Sequence, residues 1–198
     1  GEMAGEITFG ACGWGDAACV IPFTIYQYFG DKNLLEEQYP VMKAWVDYLY
    51  REDEKRGGSR LRLWGFHFGD WLALDNEDKT SSFGGTDAYF IASAYYYYSV
   101  SLLTKAARIL EKQEEAGFYG TLQSEIKHAF LNRYFDNQGN LKLTNQTAYV
   151  LVLAFGLAPE KQKRKIAGLL VEKLRQNGGH LDTGFLGTPY LCMVLSEN

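Results

Sequence analysis

Two short segments of this chain combine residue types that can hold a polyol. One is Gly13-Trp14-Gly15-Asp16, the other His67-Phe68-Gly69-Asp70-Trp71. Each places a carboxylate beside a large aromatic ring and a glycine, and each precedes a strongly apolar helical stretch. A carboxylate accepts hydrogen bonds from two neighbouring hydroxyls. An indole offers a flat apolar face to the C–H side of a pyranose, and glycine lets the backbone come close. Trp14, Asp16, His67, Asp70 and Trp71 are therefore candidate sugar contacts. A third polar, glycine-rich stretch, Gly179–Thr188, adds His180 as a candidate contact.

Each candidate also has a plainer reading. Asp16 either binds a hydroxyl or only caps the following helix. Trp14 is either core or stacking platform, and His67 with Asp70 form either a ligand-facing pair or a structural hydrogen bond. Asp75, Glu77 and Asp78 read as a solvated acidic turn. Asp87 reads as a helix start, Thr144, Asn145 and Gln146 as cap or ligand contact, and His128 as surface. The tyrosine run Tyr95–Tyr98 reads as core packing. A hydrolase working with two carboxylates in the inverting mode holds them roughly 6.5–9.5 Å apart. Asp16 and Asp70, at the starts of neighbouring helices about 9–10 Å apart, are compatible with that spacing but not selected by it.

The elements that must carry these residues are helices. Ala17–Phe29, Asp87–Leu103, Gln146–Phe155 and Pro189–Leu195 are apolar nearly all round, the pattern of helices buried on every side. Val41–Arg51, Tyr119–Tyr134 and Glu160–Arg175 carry apolar residues at helical spacing among charges, so one face is solvated. Pro40 and Pro159 suit first turns, and Asn177-Gly178-Gly179 a helix stop. Pro22 implies a kink or a later start for the first helix. Buried and amphipathic helices alternate, about seven in all. This describes an all-α array of αα-hairpins with inner and outer helices, which closes into a barrel or stays open as a solenoid. Successive helices are antiparallel, so the connections into the inner helices, 10–16, 64–87, 141–145 and 178–188, gather at one end. The opposite connections are short and plain, so the candidate residues share one rim.

Bulk properties narrow the function. The chain has 198 residues, 46% apolar and 15% aromatic, with a net charge of −4. The charge argues against nucleic acid as partner. No apolar run approaches the ~20 residues of a membrane span, and no signal peptide is recognisable. Cys12, Cys19 and Cys192 have no metal-like spacing, so neither metal nor disulfide framework is expected, and no cofactor is implied. They do not indicate a compartment.

Gly13-Trp14-Gly15-Asp16-Ala17-Ala18, followed by Pro22, Tyr26 and Tyr28-Phe29-Gly30-Asp31, resembles the bacterial α-L-rhamnosidases of glycoside hydrolase family 78. The resemblance continues in order through Tyr39-Pro40-Val41-Met42-Lys43, Trp45-Val46-Asp47-Tyr48-Leu49 and His67-Phe68-Gly69-Asp70-Trp71-Leu72. It ends with Thr147-Ala148-Tyr149 and Thr183-Gly184-Phe185-Leu186-Gly187-Thr188. It implies an (α/α)6 barrel, inverting release of terminal α-L-rhamnose, and a rhamnose-containing glycoside as partner. In that family the general acid is a glutamate in an Arg-Asp-Glu-Arg-like motif upstream of the first block. Nothing similar precedes Gly13, and Glu2 and Glu6 do not match it. The general base is a glutamate in a Trp-Glu motif downstream of the block that here reads Gly187-Thr188-Pro189-Tyr190. The resemblance thus implies that residues 1–198 are a single partial catalytic domain without a catalytic residue of its own, inactive in isolation. Exposed flanks of the first and last inner helices would favour self-association. A trehalase- or glucoamylase-like glycosidase and a non-catalytic helical carbohydrate-binding module are the competing readings.

Overall fold

The structure is a computed structural model and describes residues 10–198; Glu2 and Glu6 lie outside the described residues. Among these there are seven α-helices and no strand, apart from a single bridge between Phe135 and Leu141. The helices are α1 (Ala17–Phe29), α2 (Lys32–Lys55), α3 (Ala88–Ile109), α4 (Gln113–Tyr134), α5 (Gln146–Ala154), α6 (Lys163–Gln176) and α7 (Thr188–Glu197). Inner helix α3 packs on α1, α2, α4 and α5, and α5 on α6 and α7. The order is that of αα-hairpins laid side by side in a partial (α/α) barrel.

α3 forms the centre. Asp87 caps it by accepting a hydrogen bond from the Phe90 N–H at 2.6 Å. Its residues from Phe90 to Ala107 are nearly all buried, as an apolar surface with no polar stripe requires. α5 behaves in the same way, buried from Gln146 to Leu153. α1 and α7 do not, although their sequences are equally apolar. α1 leaves Ile21, Tyr28 and Phe29 exposed, and α7 leaves Met193 and Leu195 exposed. Apolar composition marks surface that needs a neighbour; these two helices stand at the flanks of the array, with a packed neighbour on one side only.

Outer helices α2 and α4 are longer than their amphipathic cores suggest. α2 begins at Lys32, not near Val41, because Asp31 caps it through the Leu34 N–H at 3.0 Å. Its buried stripe, Leu35, Tyr39, Met42, Val46 and Leu49, runs at spacings of four and three straight through Pro40. Pro40 is therefore interior, and it is tolerated because it lies on the exposed face, where water can satisfy the freed carbonyl. α1 likewise runs through Pro22 from Ala17, which excludes a later start. α4 starts at Gln113, ahead of Tyr119, and the segment from Glu160 begins as a 3-10 turn before α6. Left-handed glycines end the hairpins: Gly30 closes α1 with its N–H on the Tyr26 carbonyl, and Gly179 bonds back to Leu174 after α6.

Candidate carbohydrate-facing rim

Two buried carboxylates organise the end of the array where the inner helices begin. Asp16 ends the loop before α1. Its Oδ2 accepts the Gly13 N–H at 2.8 Å, and its Oδ1 accepts Trp45 Nε1–H at 2.8 Å and the Ser99 hydroxyl at 2.6 Å. It makes no side-chain cap of α1. Gly15 lets the Trp45 indole lie against this loop, since a Cβ there would fall 2.3 Å from the ring. The buried Arg62 guanidinium reaches 4.0 Å from Asp16 Oδ2, bonds the Gly10 carbonyl, and lies over the rings of Trp45 and Trp64.

Asp70 is the second centre. Its Oδ2 accepts the Thr147 hydroxyl at 2.6 Å and the Gly184 N–H at 2.7 Å. Its Oδ1 accepts the N–H groups of Leu186 at 2.7 Å and Gly187 at 3.2 Å. One carboxylate thus joins the 64–87 connection to α5 and to the loop before α7. The two loops also pair through backbone: Phe185 N–H to the Trp71 carbonyl and Leu74 N–H to the Asp182 carbonyl. Gly184 permits this approach, because a Cβ there would meet the Trp71 carbonyl oxygen at 2.2 Å.

His67 is buried between the 64–87 connection and the loop before α1. Its Nδ1 accepts the Cys12 N–H at 3.1 Å and its Nε2 faces the Trp64 carbonyl at 3.0 Å, which assigns the neutral Nε2–H tautomer. Burial, reinforced by the nearby Arg62 charge, lowers its pKa to about 4. The histidine therefore stitches backbone, and does not pair with Asp70. Asp16 and Asp70 are fully buried with every carboxylate oxygen engaged, so they are not an acid–base pair across a substrate. Asp75 is no solvated turn either: it accepts from the Gly85 N–H, the Thr86 hydroxyl and Asn145 Nδ2–H and closes the 64–87 loop on itself.

What these centres present outward is aromatic. Trp14 packs on Phe68 at 5.0 Å between ring centroids, Phe68 on Trp71 at 5.5 Å, and Trp71 on Phe83 at 5.3 Å; Phe66 joins Phe68 at 5.0 Å. Trp14 is 42% exposed and Phe83 is 39% exposed. Leu72 beside them holds a positive φ of 61° and stays exposed, a strained conformation kept by the surrounding hydrogen bonds. Trp14, His67, Asp70 and Trp71 thus lie in one cluster, with Asp16 beneath it. His180 stands apart: it is exposed beyond the α6 end, facing Asp75, Lys173 and Asp182 across a separate cavity. Phe68, inside the motif, and Phe66 and Phe83, outside it, complete the rim and were not among the candidate contacts. Nor were Trp45, Ser99 and Thr147, whose partners are distant in sequence. No group of three or more metal-ligating side chains occurs among the described residues, and no helix there is long and apolar enough to cross a membrane.

Helical hairpins whose inner-helix loops gather into one glycine-rich, aromatic rim define a hairpin-barrel domain of the glycosidase type. The family model described as the bacterial alpha-L-rhamnosidase 6 hairpin glycosidase domain matches residues 3–198, and the chain belongs to that family. It is 37% identical over 195 residues to an alpha-L-rhamnosidase of Alteromonas sp., covering 96% of this chain and 21% of that protein. An alpha-L-rhamnosidase of Formosa agariphila is 38% identical over 187 residues, covering 93% and 19%. Among solved structures, the alpha-L-rhamnosidase of Streptomyces avermitilis complexed with L-rhamnose aligns with a TM-score of 0.82 at 36% identity, over 95% of this chain and 17% of that one. The enzyme of Aspergillus terreus aligns at 0.84 and 32%, over 94% and 21%. The chain spans about a fifth of the length of the relatives it matches.

Proposed function

We propose that this chain builds part of the catalytic barrel of an inverting glycoside hydrolase that releases terminal α-L-rhamnose from rhamnosides. The observation that carries the reading is the family match over residues 3–198, and the exposed aromatic rim supports it. Within the rim, Trp14 and Trp71 supply the apolar faces on which a pyranose stacks. Asp16, His67 and Asp70 hold those faces in place and do not touch the sugar. The resemblance implies that the proton-transferring carboxylates lie outside this chain, and the buried, fully engaged Asp16 and Asp70 do not replace them. The exposed Ile21, Tyr28 and Phe29 of α1 with Met193 and Leu195 of α7 are surfaces for further helices or a second copy. In light scattering the 198-residue chain alone is expected to self-associate.

The test is hydrolysis of p-nitrophenyl α-L-rhamnopyranoside by the full-length protein, with proton NMR reading the anomer first released. Initial release of β-L-rhamnose is expected. Cleavage of other α-glycosides with no rhamnoside turnover refutes the reading, and initial α-anomer refutes inversion. Trp14→Ala is expected to raise KM about tenfold with the fold retained, the size of losing one stacking face of about 1.4 kcal/mol.

A further inference from the structure

Outside the aromatic rim, a cavity of about 430 Å3 lies between the C-terminal turn of α6, the start of α5 and the two paired loops. Its size falls within the ~300–1,000 Å3 of small-molecule pockets. Its polar lining is unevenly used. Asp75, Asn145 and Asn177 spend hydrogen bonds on the loops, and Lys79 donates to the Leu74 carbonyl. Lys173 and Asp182 face the same cavity; among the described residues neither forms an ion pair, although the Lys173 charge acts on the Asp182 carboxyl. Asp182 Oδ1 is buried without a partner, and burial with the nearby Asp75 charge raises this carboxyl's pKa. A cation and a carboxylate that share a cavity gain by closing on each other or by sharing a bridging group. Here they stay apart. Leu74 and Leu181, both exposed, form apolar walls beside them.

We propose that this cavity is a second carbohydrate pocket, taking a neutral pyranose whose adjacent hydroxyls bridge Lys173 and Asp182. One hydroxyl donates to the Asp182 carboxyl group and its neighbour accepts from the Lys173 ammonium, while the C–H face of the ring rests on Leu74 and Leu181. His180 lines the mouth of the same cavity, so its role belongs to this pocket and not to the aromatic rim. The inference does not depend on which glycoside the barrel cleaves. It stands on unspent donors and acceptors that match a vicinal diol, in a pocket built from the loops that also build the rim.

Saturation-transfer NMR on the 198-residue chain tests it, with methyl α-L-rhamnopyranoside and methyl β-D-galactopyranoside as probes and glycine as competitor. At least one pyranoside is expected to receive saturation in the wild type and in Trp14→Ala. In the Trp14→Ala background, where the rim is disabled, its affinity is expected to fall at least tenfold on adding Lys173→Met or Asp182→Asn, with unchanged circular dichroism. Lys173 lies on a part-exposed helix face, so its substitution leaves folding intact. No transfer to the folded wild type, or binding indifferent to Lys173→Met in the Trp14→Ala background, overturns the proposal. Displacement by glycine also overturns it and assigns a zwitterion instead. Loss of binding in Trp14→Ala alone places the sugar on the rim and overturns the second pocket while supporting the rim.

Discussion

Asp70→Asn is the sharpest perturbation the structure offers, because it removes a charge while keeping the shape. The best-placed amide puts its NH2 at the Oδ2 position. There it faces the Thr147 hydroxyl, which can turn to accept, and the Gly184 N–H, which cannot. One buried backbone donor is then stranded, at about 1–3 kcal/mol, and the bonds kept to Leu186 and Gly187 lose their charge assistance, worth roughly 1 kcal/mol more. The expected loss is about 2–4 kcal/mol. The opposite amide orientation strands both Leu186 and Gly187 and costs more. Thr147→Val removes a single bond to the carboxylate and is expected to cost about 1.5–3 kcal/mol alone. In the Asn background it should cost about 1 kcal/mol less, since the two changes disrupt one network. Urea denaturation of the four proteins measures this, with tryptophan emission reporting whether Trp71 has become wetter. An Asn variant within 1 kcal/mol of wild type, or strictly additive losses, would refute the reasoning that this carboxylate latches the loops.

Three further outcomes follow from the same geometry. His67 has a folded pKa of about 4 against an unfolded value near 6.5, so the unfolded chain takes up the proton first. This contribution is complete above pH 6.5 and is lost as pH falls toward 4, up to roughly 3 kcal/mol. Urea midpoints at pH 7.5 and 4.5 should show that slope in the wild type and a shallower one in His67→Gln; equal slopes contradict it. Trp45→Phe keeps an aromatic ring of smaller size and removes the Nε1–H bond to Asp16, with an expected cost of at least about 1.5–3 kcal/mol in thermal melts. Gly184→Ala forces a methyl against the Trp71 carbonyl and should part the two loops, lowering stability by more than about 3 kcal/mol. Gly156→Ala has open space around its Cβ and should cost only the left-handed strain, about 1–2 kcal/mol; equal costs at the two glycines would contradict the contact.

The parts of the fold legible in the sequence are those governed by nearest neighbours along a helix. The Asp87 cap, the Asn177-Gly178-Gly179 stop, and the unbroken apolar surfaces of α3 and α5 are local facts, and the structure repeats them. Pro40 misplaced the start of α2 because a proline's cost depends on which face it occupies, and the five-residue buried stripe outweighs it. The apolar sequences of α1 and α7 alone state a demand for burial without saying whether a partner stands there; their exposed flanks agree with the partial barrel that the resemblance implies. At the rim, glycine, aromatic and acid marked the right loops. They did not reveal the carboxylates' work, because Trp45 lies 29 positions and Ser99 83 positions from Asp16. No periodicity encodes such pairings. The exposed Trp14 and the buried Asp16 sit two residues apart in one motif, and only tertiary packing separates their roles.

The latch at Asp70 also sets an order of events during synthesis. Its donors lie 77, 114, 116 and 117 positions downstream. At ribosomal rates of about 5–20 residues per second, some 6–23 s pass between emergence of the carboxylate and arrival of its last partner. Throughout that interval the nascent segment around Phe66, Phe68, Trp71 and Phe83 has its rings made but its clasp unfastened. That makes it a natural landing place for a chaperone acting on the growing polypeptide.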